Sequence, residues 1–211
     1  MQKDWSNQPM AIRHFVLVCV AFELLALAGM GFGFGDDIRR LMLALGGFWP
    51  DLLRGAMPIY PGQPIAMFAT SAFLHGGLLH LFMNMVGLMW IGPIVTERLG
   101  ERAFWPLAGL CALGSGFGFV MLSQSSMPMV GASGVLFGFL GIVAAWSFLD
   151  RLRRRESLRP LIEQALVFAA LNIALALLSG VIAWQAHLGG LLAGMLCGLL
   201  TWNARAPLRR V

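Results

Sequence analysis

MVGASGVLFGFLGIVAAWSFL, residues 129–149, decides the class of this chain. Apart from Ser133 and Ser147 it carries no polar side chain, and it matches the ~20 apolar residues that an α-helix needs to cross a bilayer. Comparable apolar windows fall at about 11–34, 73–95, 104–122, 130–149, 161–179 and 183–203, with polar, glycine-bearing or proline-bearing breaks between them. Backbone groups in hydrocarbon must pair within the segment, and nothing alternates with the period of a barrel strand. The expectation is an all-α membrane protein: six transmembrane helices forming a single domain over residues 1–211.

Composition agrees. Of 211 residues, 58% are hydrophobic and 12% charged, with a mean hydropathy of +0.76, far from the soluble average. The net charge of +5 could suit a nucleic acid, but the basic residues sit in short segments between spans rather than on a soluble basic face. No nucleic-acid partner is expected; the lipid bilayer is. Cys19, Cys111 and Cys197 each lie inside an apolar run and lack metal-ligand spacing, so they read as free, buried thiols. No metal and no cofactor are expected. The apolar stretch from Phe15 to about Phe34 is too long for a signal-peptide core and has no Ala-x-Ala site, which makes it a retained first span.

Basic residues also set the orientation. Lys3, Arg13, Arg98, Arg102, Arg151, Arg153, Arg154, Arg155, Arg159, Arg205, Arg209 and Arg210 would share one side, leaving Arg39, Arg40 and Arg54 on the other. The positive-inside rule then puts short N- and C-terminal tails in the cytoplasm, and spans 2, 4 and 6 run from outside to inside. The connection over about 35–72 mixes Phe48, Trp49, Leu52, Leu53, Ile59 and Tyr60 with proline, glycine and charge. That is too apolar for a free loop and reads as an interfacial hairpin half sunk in the outer leaflet.

Three of the four histidines, His75, His80 and His187, fall at the outer ends of spans that run inward. His80 and Asn84 are four residues apart and so face the same way on span 2. Left without partners in the membrane they would cost about 1–3 kcal/mol each, so something polar should meet them. In Gly131-Ala132-Ser133-Gly134, a serine opens span 4 between glycines that let another backbone approach. Alone, Ser133 would be an ordinary helix cap. Its position at a helix N-terminus, however, offers unpaired N–H groups and a partial positive charge to a developing oxyanion. His187 lies a similar distance inside span 6. Gly134, Gly138 and Gly141 on span 4 and Gly190, Gly194 and Gly198 on span 6 form small-xxx-small patterns that would bring the two spans together beneath both residues.

The combination His75-Gly-Gly-Leu-Leu-His80-x-x-x-Asn84, Gly131-Ala-Ser133-Gly134 and Ala186-His187-x-Gly-Gly190-x-x-x-Gly194 resembles the rhomboid family of intramembrane serine proteases, over about residues 65–200. The resemblance implies a six-helix bundle, a Ser133–His187 catalytic dyad, and an oxyanion site that includes His80, Asn84 and Ser133. Neither Glu23, near the middle of span 1, nor Glu97, at the far end of span 2, is placed to serve His187 as a third member. Glu97 in Gly92-Pro93-x-x-x-Glu97-x-x-Gly100 resembles the family's structural glutamate; Glu23 has no reading beyond a neutral, hydrogen-bonded acid. Two departures stand out. Gly62-Gln63-Pro64-Ile65 replaces the Trp-Arg pair many members carry before span 2, and Phe137 stands where the family often has a tyrosine packed on the histidine.

The implied activity is hydrolysis of peptide bonds in or near transmembrane segments of single-span proteins, entering past span 5 and the 179–183 connection. The expected seat is a bacterial inner membrane, with the site opening outward. A rival is a catalytically inactive relative that binds client helices without cutting them. A transporter would need a polar stripe through the full depth or broken helices in inverted repeats, whereas the polar groups here cluster in the outer half. Oligomeric state and natural substrate are not legible.

Overall fold

Gly77 fixes where the second span begins: its φ of +143° is open to glycine alone, and the helix starts at Leu78 rather than within the apolar window that opens at Phe73. The computed structural model describes residues 5–33, 36–179 and 183–204. Lys3, Arg205, Arg209 and Arg210, which carry part of the orientation, and the link at 180–182 lie outside them. The described helices are α1 (Met10–Gly31), α2 (Asp37–Gly46), α3 (Gln63–Thr70), α4 (Leu78–Leu99), α5 (Phe104–Leu122), α6 (Ser133–Arg154), α7 (Arg159–Ser179) and α8 (Trp184–Thr201). Among the described residues, four helical stretches are long and apolar enough to cross a membrane: Met10–Gly29, Leu78–Leu99, Glu101–Leu122 and Ser133–Arg154. Helices α7 and α8, of 21 and 18 residues, complete the bundle.

Local chemistry explains the ends. Pro64 stands in the first turn of α3, where its missing N–H costs nothing. Arg151, Arg153 and Arg154 occupy the last turn of α6, at the negative end of its dipole. Arg155 then closes the helix in the left-handed region, its N–H donating to the Arg151 and Leu152 carbonyls.

Helix α8 lies against both α5 and α6 through bare backbone. A Cβ on Gly190 would collide with the Gly134 carbonyl oxygen, one on Gly194 with that of Gly138, and one on Gly198 would stand 2.7 Å from that of Ile142. On the other flank a Cβ on Gly189 would collide with the Gly114 carbonyl oxygen, and one on Gly118 would stand 2.6 Å from the Gln185 carbonyl. Gly141 of α6 faces α8 directly, where a Cβ would collide with the Leu191 carbonyl oxygen, while the other glycines of the two helices are offset. Those of α8 sit over the carbonyls of α6, while Gly134 and Gly138 make room for Ser115 and Cys111 of α5. Phe15, Leu88, Phe104, Phe139 and Ile142 fill the core among α1, α4, α5 and α6, and all three cysteines are free and buried.

The long connection is ordered. It holds α2, a 3-10 turn at Pro50–Leu53, and α3. Phe48 and Met129 exchange both backbone hydrogen bonds at 2.9 Å, which ties the connection to the segment leading into Ser133. Gln63, in the stretch that departs from the family pattern, is buried and staples the connection. Its Nε2 donates to the Ala44 carbonyl at 2.7 Å and its Oε1 accepts from the Ile59 N–H at 2.8 Å.

Glu23 is not the neutral acid expected. Arg39 of α2 donates to both of its oxygens, Nη2 to Oε1 at 2.7 Å and Nη1 to Oε2 at 3.0 Å, and Nη1 also donates to the His75 carbonyl at 2.8 Å. The hydrogen bond to Glu23 pushes the Arg39 pKa further above its already high value, so the cation persists at any working pH. One fork thus joins α1, the connection and the approach to α4. The Glu23 side chain is only 1% exposed, and removing one partner of such a pair leaves an uncompensated buried charge. Glu23→Ala is expected to cost about 3–5 kcal/mol, read as a lowered midpoint of thermal unfolding in detergent. Adding Arg39→Ala should cost less than the sum of the two single changes.

Candidate active site

Three helix N-termini meet at one end of the bundle. Ser133 is the first residue of α6, so its N–H has no carbonyl of its own helix to bond. The chain arrives through Gly131, whose φ is +125° and whose N–H donates to the Ser71 carbonyl at 2.9 Å. A Cβ there would lie 2.7 Å from His80 Nε2 and 3.8 Å from Ser133 Oγ. Glycine is required by both backbone and space, and the His80 ring and the Ser133 hydroxyl flank one small volume.

His187 stands in the first turn of α8, directly above the Gly190 contact with α6. Its Nε2 lies 2.9 Å from Ser133 Oγ. The Phe137 ring is stacked on the imidazole, with centroids 4.3 Å apart and planes inclined by 7°. The ring thus packs as a tyrosine's would, without the hydroxyl. On the far side, His187 Nδ1 lies 2.8 Å from Asn172 Oδ1 of α7, and Asn172 Nδ2 donates to the Phe168 carbonyl at 3.0 Å. Since Oδ1 can only accept, Nδ1 carries the imidazole proton and Nε2 presents its lone pair to the Ser133 hydroxyl.

Just before α4, Gly76 N–H donates to His80 Nδ1 at 3.4 Å, leaving Nε2 as the protonated nitrogen on the side of Gly131. Asn84 lies one turn further, buried, its Nδ2 donating to the His80 carbonyl at 2.8 Å. His75 is buried with its ring edge-on to His80, centroids 5.2 Å apart. Glu97 is remote, about 25 Å from His80 along α4 at the rise of a helix. Among the described residues no cluster of histidine, cysteine and carboxylate could hold a metal ion.

Sequence reasoning missed Asn172. The signal was present: between Ala165 and Leu178 it is the one polar residue, and polar side chains in spans turn toward the bundle interior.

A helical membrane chain that brings a serine hydroxyl and an imidazole into contact at converging helix N-termini defines a narrow class. The chain belongs to the rhomboid family: the family model described as Rhomboid domain matches residues 62–204. It is similar to RHOMBOID-like protein 4 of Arabidopsis thaliana, 36% identical over 131 residues that cover 61% of this chain and 32% of that protein. It is also similar to Rhomboid-like protease 3 of Toxoplasma gondii, 29% identical over 138 residues, 65% of this chain and 52% of that one. With Rhomboid protease GlpG of Yersinia pestis it is 29% identical over 147 residues, 68% of this chain and 50% of that protein. The chain thus spans between about a third and a half of the length of these relatives.

The contact between Ser133 and His187 depends on the glycine seam beneath it. Gly194→Ala is expected to separate α8 from α6, lowering stability by about 1–3 kcal/mol and slowing labelling of Ser133 by a fluorophosphonate. Gly109→Ala, where nothing lies within 4 Å of the added carbon, should leave both unchanged.

Proposed function

We propose that this chain is an intramembrane serine endopeptidase with Ser133 as nucleophile and His187 as general base. The observation that carries the proposal is the 2.9 Å contact between Ser133 Oγ and His187 Nε2, made with the imidazole in the tautomer that can accept the proton. In the proposed reaction, His187 Nε2 takes the hydroxyl proton as Oγ bonds to the scissile carbonyl carbon. The oxyanion is held by the Ser133 N–H, His80 Nε2–H and Asn84 Nδ2–H. His187 returns the proton to the amide nitrogen as the C–N bond breaks, leaving an acyl ester on Ser133. Water, giving its proton to His187, hydrolyses the ester and restores the hydroxyl.

The substrate class proposed is a single-span membrane protein. A cavity of about 1140 Å³ between α4, α6, α7 and α8 supports this, reaching His187 and Asn172 at one end and Leu158 at the other. Its walls are almost wholly apolar, with Trp90, Ile94, Phe137 and Phe168 among them. It is longer and drier than a site for a polar metabolite would be, and it suits a helix leaving lipid. The proposed seat is a bacterial inner membrane with α7 and α8 as fifth and sixth spans, both termini cytoplasmic and the dyad toward the outer face. The arginines at the end of α6 support that orientation.

Purified protein in liposomes should cleave a single-span reporter, and Ser133→Ala or His187→Ala should reduce the rate by at least about a thousandfold. A fluorophosphonate should label Ser133, and His187→Ala should abolish labelling. Cleavage that survives Ser133→Ala defeats the proposal. Binding of the reporter with neither labelling nor cleavage identifies instead an inactive relative that holds client helices.

A further inference from the structure

The geometry points to Asn172 as the positioning residue of the dyad: a neutral third member that holds His187 in its working tautomer from the α7 wall of the cavity. This rests on the protease reading above and deepens it. The amide orientation is fixed independently of the histidine, because Nδ2 is spent on the Phe168 carbonyl of its own helix, 3.0 Å away. Oδ1 is therefore the atom that faces the imidazole at 2.8 Å. Phe137 covers one ring face, Ser133 takes Nε2 and Asn172 takes Nδ1, so both nitrogens are assigned and the ring can neither flip nor exchange tautomers without losing a bond.

An amide is also the acceptor the setting favours. A carboxylate at this place would enter the membrane as a charge, while the amide orients the ring and adds none. Asn172 and His187 both line the apolar cavity, so a substrate helix arriving along α7 passes the bond that holds the base.

The test uses three readouts on the full chain. Asn172→Leu should lower kcat roughly tenfold with KM held, the loss of one hydrogen bond made to the working ring. Asn172→Asp keeps the shape and the acceptor. It should keep kcat at high pH within roughly threefold of the unaltered enzyme, but its charge favours the imidazolium, so the acidic limb of the pH profile moves to higher pH. Protein labelled with 15N-histidine should show His187 protonated at Nδ1, assigned by its loss in His187→Gln, and Asn172→Leu should show a tautomer mixture. Unchanged kcat with an unchanged Nδ1–H signature in Asn172→Leu overturns the inference. So does an Asn172→Asp profile superimposable on the original, which keeps the test decisive should the leucine variant fail to fold. Protein that never cleaves defeats the protease reading alone, since the 15N signature still reports whether Asn172 holds the ring.

Discussion

Helices in lipid gain nothing from hiding apolar surface from one another, because the surrounding chains are as apolar as leucine. What holds this bundle is close contact of backbone with backbone, which is possible only where side chains are missing. Helix α8 supplies that contact on two flanks at once: Gly190 and Gly194 lie over the carbonyls of α6, and Gly189 meets Gly114 of α5. With no methylene in the seam to flex, the distance between the first turns of α6 and α8 is set by the backbones themselves. Ser133 and His187 stand on those turns, so their 2.9 Å contact is a product of the packing rather than of any adjustment by the side chains.

Polar groups obey the opposite economy. A polar group held in the bundle is costly without a partner, and two sets of partners meet most of that cost here, although both ring nitrogens of the buried His75 have none among the described residues. The imidazole of His187 bonds to Ser133 on one side and Asn172 on the other; the Arg39 fork takes both oxygens of Glu23 and the His75 carbonyl. The two sets differ in what they join. Arg39 adds a polar link among α1, the long connection and the approach to α4, elements that also pack directly through Ile38 on Gly29 and Phe73 on Phe15. The His187 set joins α6, α7 and α8 at the place where the proposed chemistry occurs.

Much of this was legible in the sequence, and the reason is that its strongest signals are local. Small residues three or four positions apart marked the seam of α6 with α8; a serine between glycines marked a helix start. His80 and Asn84, four apart, share one face of α4 as their spacing required. What escaped were pairings across long separations. Glu23 and Arg39 have no spacing rule to connect them, because the chain turns back between them. Asn172 stood alone in an apolar run, and only the packing of α7 beside α8 shows that it faces His187. The offset of the glycine seam was hidden for the same reason: a motif tells which residues are small, and not which carbonyl lies above them.

The family match begins at residue 62, yet the fold does not. Ile12 of α1 fills the space left by Gly92 of α4, where an added Cβ would lie 2.6 Å from its Cδ1, and Phe15 is buried against Phe104. Phe48 pairs with Met129, four residues before Ser133. A fragment cut to the shared region would therefore open a groove along α4, strip Arg39 from the His75 carbonyl and leave the approach to Ser133 without its backbone partner. The front of the chain acts as a brace on the part that the family model matches, so the dyad's geometry depends on residues outside that part.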